Sequence, residues 1–209
     1  MLFTLLSAYG VFLLAVISPG PDFVITVQSS LRHGVRAGIW TALGIALANL
    51  IHIAYVHVGI GALIAHSLLA FTILKLLAAG YLIYLGVGAL RSTPQGAEAM
   101  AQSLAQPGAA SGSGSAFRQG FVTNALNPKA ALFWLSYLTL VIDATMPTAL
   151  LFGFISLLIT TAFIWFSLVA YFLSRRTVRE RFLRCGHWFD RVTGAVLVGL
   201  GIKVALSAR

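Results

Sequence analysis

Two ionisable residues stand inside apolar runs, each beside a proline that breaks the run. Asp22 closes Ser18-Pro19-Gly20-Pro21-Asp22, and Lys129 closes Asn127-Pro128-Lys129. Pro19 and Pro21 each lack a backbone N–H and clash with a continuing helix, and Gly20 tolerates positive φ. The apolar run from Leu2 is interrupted there and resumes at Phe23. In hydrocarbon, such a break survives only where protein or a water-filled cavity satisfies the freed backbone. A broken helix beside a charge at that depth is the local pattern of a transport site. Helices starting near Asp22 and near Lys129 aim unpaired N–H groups and positive dipole ends at the break, which suits a carboxylate. Helices ending near Ile17 and Leu126 leave unpaired carbonyls, which suit an ammonium group or a cation. Asp22 could hold an ammonium group or shuttle a proton, and Lys129 could hold a carboxylate. Together they fit a small zwitterion.

The elements that must position these groups follow from composition. Of 209 residues, 59% are hydrophobic and 9% charged, against ~45–50% and ~25% in soluble domains. The class is therefore an all-α integral membrane protein. At ~20 residues per span the length allows roughly six spans. The net charge of +9 comes from arginines beside spans, where they hold orientation. No aromatic-and-basic nucleic-acid motif accompanies it, so nucleic acid is not a partner. The lone Cys185 excludes an intrachain disulfide and a cysteine metal cluster. No basic n-region precedes the long N-terminal run, which reads as a retained span and not a cleaved signal peptide.

The expected spans are about 2–30, 39–64, 68–90, 117–141, 148–173 and 192–206. The first and fourth are broken at the two proline motifs. Residues 1–91 then form one three-helix repeat, 92–116 a flexible Gly/Ala/Ser linker on the cytoplasmic side, and 117–209 a second repeat. Gly44, Ala48 and His52 share one face of the second span, and Gly80, Gly86 and Gly88 lie in the third, so helices can approach closely there. Basic residues follow spans one, three and five, where Arg175, Arg176, Arg179, Arg181, Arg184 and Arg191 form the strongest cluster. The positive-inside rule puts those loops in the cytoplasm and both termini outside.

Three spans per half is an odd number, so the halves cross the membrane in opposite senses, as inverted repeats. Paired breaks in corresponding positions point to a binding site between such halves. Asp22 lies ~12 Å from the cytoplasmic end of its span and Lys129 ~16 Å deep, at 1.5 Å per residue. Asn49 and His52 fall at similar depth, near the middle of a ~30 Å core. The candidate substrate or ion contacts are Ser18, Pro19, Gly20, Pro21, Asp22, Asn49, His52, Asn124, Asn127, Pro128 and Lys129.

Each has a plainer reading. Asp22 reads alternatively as a cap on a half-helix, and Lys129 as its buried ion partner. His52 is either an interior hydrogen-bonded histidine or a relay. Asn49, Asn124 and Asn127 either satisfy freed backbone or contact substrate. Lys75 can snorkel outward, and His57 and His66 fall toward the outer surface. A metal or inorganic-cation exporter using Asp22 and His52 is the alternative function; His52 and His57 point about 140° apart, too far for one metal site. An enzyme is not expected: neither His-Glu-x-x-His nor Gly-x-Ser-x-Gly occurs, and acids are too few for paired-carboxylate chemistry. No cofactor or metal is implied, and homo-oligomerisation is left open.

The chain closely resembles the LysE/RhtB family of bacterial amino-acid exporters. The likeness lies in Ser18-Pro19-Gly20-Pro21-Asp22, Arg36-Ala37-Gly38, Gly44 through His52, and Lys75-Leu76 through Tyr81 to Gly86. It continues in Phe117-Arg118-Gln119-Gly120-Phe121, Asn127-Pro128-Lys129-Ala130, and Asp190-Arg191 with Gly194 and Gly199. The resemblance implies export of amino acids or close derivatives across the bacterial inner membrane, driven by a coupling proton or cation. It also implies two pseudo-symmetric three-span halves. Ala48 stands where a glycine is usual, and the stretch after Leu138 lacks the family's Pro-Gln-Phe. Members take basic, neutral or sulfur-containing substrates, so the resemblance does not choose among them.

Overall fold

The computed structural model describes residues 2–91, 112–141 and 146–206. Most of the expected linker, with Glu98, lies outside the described residues, as do Asp143 and the side chains of His66, Arg179, Glu180, Arg181, Arg184 and Cys185. Eight helices and no strand occur among the described residues: α1 (Leu2–Ile17), α2 (Pro21–His33), α3 (Val35–His66), α4 (Leu68–Leu90), α5 (Ser113–Ala125), α6 (Pro128–Val141), α7 (Thr148–Leu173) and α8 (Arg176–Leu206).

Both proline motifs separate helices. The axes of α1 and α2 bend by 52° at the first break. Gly20 there is extended, with φ −166°, and does not use the left-handed freedom expected of it. Across the break its neighbour is Lys129: a Cβ on Gly20 would sit 3.4 Å from Lys129 Nζ, in ordinary contact. The positive φ occurs instead at Gly34, at 85°, in the tight link from α2 to α3. At the second break Asn127 caps α6, its Oδ1 accepting from the Lys129 backbone N–H at 3.0 Å, with Pro128 in the first helical position where its absent donor costs nothing.

The segments Val35–Gly59, Thr72–Leu90 and Thr148–Leu173 are long and apolar enough to cross a membrane, and the bent pair α1/α2 makes a fourth. Helices α5, α6 and α8 do not meet that measure by length and composition among the described residues. Large apolar side chains such as Leu50, Val58, Leu77, Tyr84, Phe152 and Ile164 face outward, as a lipid-facing surface requires. Two helix starts differ from expectation. Helix α5 begins at Ser113, inside the stretch read as linker, and α8 begins at Arg176 rather than near residue 192. The arginine-rich stretch is therefore helical; its charges mask an apolar periodicity that runs through it.

Two close crossings build the frame. In α3, a Cβ on Gly44 would collide with the Phe117 carbonyl of α5, and one on Gly120 of α5 would collide with the Thr41 carbonyl of α3. The backbones touch there because neither helix carries a side chain at the contact. Thr41 ties the junction, donating to Ser29 Oγ of α2 at 2.8 Å and lying 3.2 Å from the Ala116 carbonyl. The second crossing joins α4 and α8 through Gly86 and Gly194, each meeting the other's carbonyl. Gly80 and Gly88 meet nothing and play no such part.

Three apolar clusters fill the interior. One gathers Leu5, Phe12, Ile53, Trp134, Tyr137 and Leu158 from α1, α3, α6 and α7. A second gathers Phe23, Val27, Ile45, Phe166 and Val169 from α2, α3 and α7. The third is Leu82 with Leu197 and Leu200, between α4 and α8. The broken helices leave a gap where the three meet.

Candidate functional site

That gap is a cleft with about 700 Å³ of empty space, part of it open to solvent. Phe12, Trp134 and Ala162 reach it from the first cluster, Phe23 and Phe166 from the second, and Leu197 from the third. Its polar wall is made by the two breaks. Ser18, Gly20, Pro21 and Asp22 come from one, and Asn124, Asn127 and Lys129 from the other.

The two breaks are joined by hydrogen bonds. Asn124 Nδ2 donates to Asp22 Oδ2 at 2.9 Å, and Asn127 Nδ2 approaches Asp22 Oδ1 at 3.4 Å. Asp22 thus reaches across to the other break; α2 has no side-chain cap. In return Lys129 Nζ reaches back over the first break, 3.5 Å from Ser18 Oγ and 3.4 Å from the Pro19 carbonyl. The chain's own ammonium group therefore sits at the carbonyl-rich end of α1, the place where a cation is favoured.

A further acid completes the arrangement. Ser18 Oγ donates to Asp190 Oδ1 of α8 at 3.1 Å, and the charges of Asp190 and Asp22 both act on Lys129. In the sequence Asp190 stands out only through the Asp190-Arg191 pair of the family resemblance, not as a site residue. A signal was present: Asp190, Thr193 and Leu197 lie three and four residues apart, on one helical face, and the last two line the cleft.

The remaining candidates divide. Asn49 lines the cleft, but its groups are engaged: Oδ1 accepts from Trp134 Nε1 at 2.6 Å and Nδ2 donates to the Ile45 carbonyl at 3.0 Å. His52 is buried one layer behind and does not line the cleft. Its Nε2 is 3.0 Å from the Asn124 carbonyl and its Nδ1 is 3.0 Å from Tyr55 Oη. A carbonyl only accepts, so Nε2 carries the proton there. His52 thereby holds the residue that holds Asp22. Pro128 is exposed and shapes the start of α6, and Pro19 offers its carbonyl. His57 is exposed on the opposite side of its helix from this network. Asn124 Oδ1 is buried with no hydrogen-bond partner among the described residues, an acceptor left over beside the Asp22 carboxylate.

An acid and a base held at two facing helix breaks, in a cleft between apolar helices, is the geometry of a solute-carrying membrane protein. Residues 13–208 match the family of LysE type translocators. The chain belongs to that family. This translocator is 31% identical to the uncharacterised membrane protein YrhP of Bacillus subtilis, over 98% of its own length and 99% of the relative's. It is 28% identical to a threonine efflux protein of Escherichia coli K12, over 99% and 100% of the two chains. It is 30% identical to a leucine efflux protein of Salmonella choleraesuis, over 63% and 60%. No solved structure matches the translocator. It is a multi-pass membrane protein and a transporter, not an enzyme.

Proposed function

We propose that this translocator exports small zwitterionic amino acids from the cytoplasm by secondary active transport, coupled to a proton or cation gradient. The observation that carries the reading is the crossed pairing of Asp22 with Asn124 and of Lys129 with Ser18 and Pro19. The substrate ammonium group binds Asp22 and the spare Asn124 Oδ1. Its carboxylate binds Lys129, near the positive dipole ends of α2 and α6. Each charge of the substrate meets an opposite charge already held in place by the protein, so neither is buried unpaired.

In this reading α1/α2 and α5/α6 are the broken first and fourth of six spans. The two halves are inverted repeats that rock about the cleft, with both termini outside. The coupling ion competes at Asp22, so that one carboxylate serves ion and substrate in turn. The threonine and leucine efflux proteins among the relatives support the substrate class. They do not favour a metal, and both ring nitrogens of His52 are already engaged. Among the described residues no three His, Cys, Asp or Glu side chains come together.

The test is efflux from proteoliposomes loaded with a panel of labelled amino acids. Asp22→Asn should abolish efflux while the protein still inserts and elutes as a folded species. Efflux at the wild-type rate from that variant removes Asp22 from the mechanism.

A further inference from the structure

The cleft beyond the two breaks bears on which amino acids it takes, an inference that rests on Asp22 and Lys129 being the zwitterion's contacts. Its walls there are Phe12, Phe133, Trp134, Phe166, Leu85 and Leu197. The first three form one continuous aromatic surface, with ring centroids 6.4 Å apart for Phe12 and Phe133 and 5.8 Å for Phe12 and Trp134. The polar groups that reach this region are bonded within the protein. Asn49 and the Trp134 indole satisfy each other, and Thr193 Oγ1 donates to the Leu14 carbonyl at 3.1 Å. Among the described lining residues Asp22 is the one acid and Lys129 the one base, so the lining is neutral overall.

Three consequences follow for a bound amino acid. A basic side chain would bring a positive charge among apolar walls with no free carboxylate facing it: Asp22 is taken by the α-ammonium, and Asp190 lies outside the lining and is engaged by Ser18. A side-chain hydroxyl would leave water and meet bonded groups or rings. An apolar side chain would gain contact with the walls and lose nothing. We infer that this cleft selects neutral amino acids with apolar side chains, of the leucine, methionine and phenylalanine kind, over hydroxylated and basic ones.

Counterflow with the purified protein in liposomes tests this directly. Leucine, methionine, phenylalanine, threonine and lysine are compared as the internal counter-substrate. Leucine should half-saturate at a concentration about tenfold or more below threonine, the discrimination an apolar pocket can supply, and lysine should drive no exchange. Threonine or lysine matching leucine overturns the selectivity while leaving amino-acid export intact. Exchange of none of the five, from folded protein, overturns the export reading itself. A wall variant gives a second readout that does not depend on absolute rates. Leu85→Ser should narrow the leucine-to-threonine ratio several-fold, and an unchanged ratio overturns the assignment of the wall.

Discussion

Asn124 is the residue whose removal separates the arrangement described here from a mere pair of charges near two prolines. It is almost fully buried, at 1% exposure, and donates to Asp22 Oδ2 at 2.9 Å. The neighbouring donor from Asn127 is longer, at 3.4 Å, beyond the usual ~2.7–3.2 Å range. The first bond therefore positions the carboxylate and the second adds little. A hydrogen bond to a charged group contributes about 1.5–3 kcal/mol, and each 1.4 kcal/mol is about tenfold in an equilibrium constant. Asn124→Ala should thus raise the half-saturating substrate concentration by roughly ten- to 150-fold. Asn127→Ala should act through the lost cap on α6, about 1 kcal/mol or roughly fivefold. Counterflow on matched amounts of reconstituted protein reads both, and thermal unfolding in detergent checks that each variant is folded. The reasoning fails if folded Asn124→Ala stays within twofold of wild type, or if Asn127→Ala is the more damaged of the two.

Two further outcomes follow from the same geometry. Gly44→Ala and Gly120→Ala each drive a methyl group into the facing backbone of the α3–α5 crossing and should cost about 1–3 kcal/mol. Gly80→Ala and Gly88→Ala, which meet nothing, should stay within about 0.5 kcal/mol; equal unfolding midpoints for all four would contradict the crossing. Asp190→Asn keeps an acceptor for Ser18 but removes one of the two negative charges acting on Lys129. Efflux should fall by about tenfold, or 1.4 kcal/mol. A wild-type rate would show that Lys129 answers to Asp22 alone.

Much of this molecule is legible along the chain. The membrane class follows from hydropathy, because a bilayer admits only segments that satisfy their own backbone. Proline marks both breaks, at 17–21 and 126–128, because it cannot continue a helix whatever surrounds it. Asp22 and Lys129 stand out because a charge in an apolar run needs a reason. These are local facts, set by what one residue does to its immediate neighbours.

The pairing of those groups is not local. Nothing in the chain says that Asp22 bonds to Asn124, that Lys129 reaches back to Pro19, or that His52 stands behind Asn124 and not in the cleft. Those contacts join positions more than seventy residues apart, and they depend on how closely α3 and α5 approach at Gly44 and Gly120. Gly20 shows the same limit: its backbone is extended, and that its neighbour across the break is Lys129 is visible only in the fold. Asp190 was hidden by its arginine neighbours, since charge counted along a sequence does not distinguish the buried face of a helix from the exposed one. Residue types determined what each break could bind; the distances between helices decided which groups bind one another, because hydrogen bonds and steric contacts act over only a few ångströms.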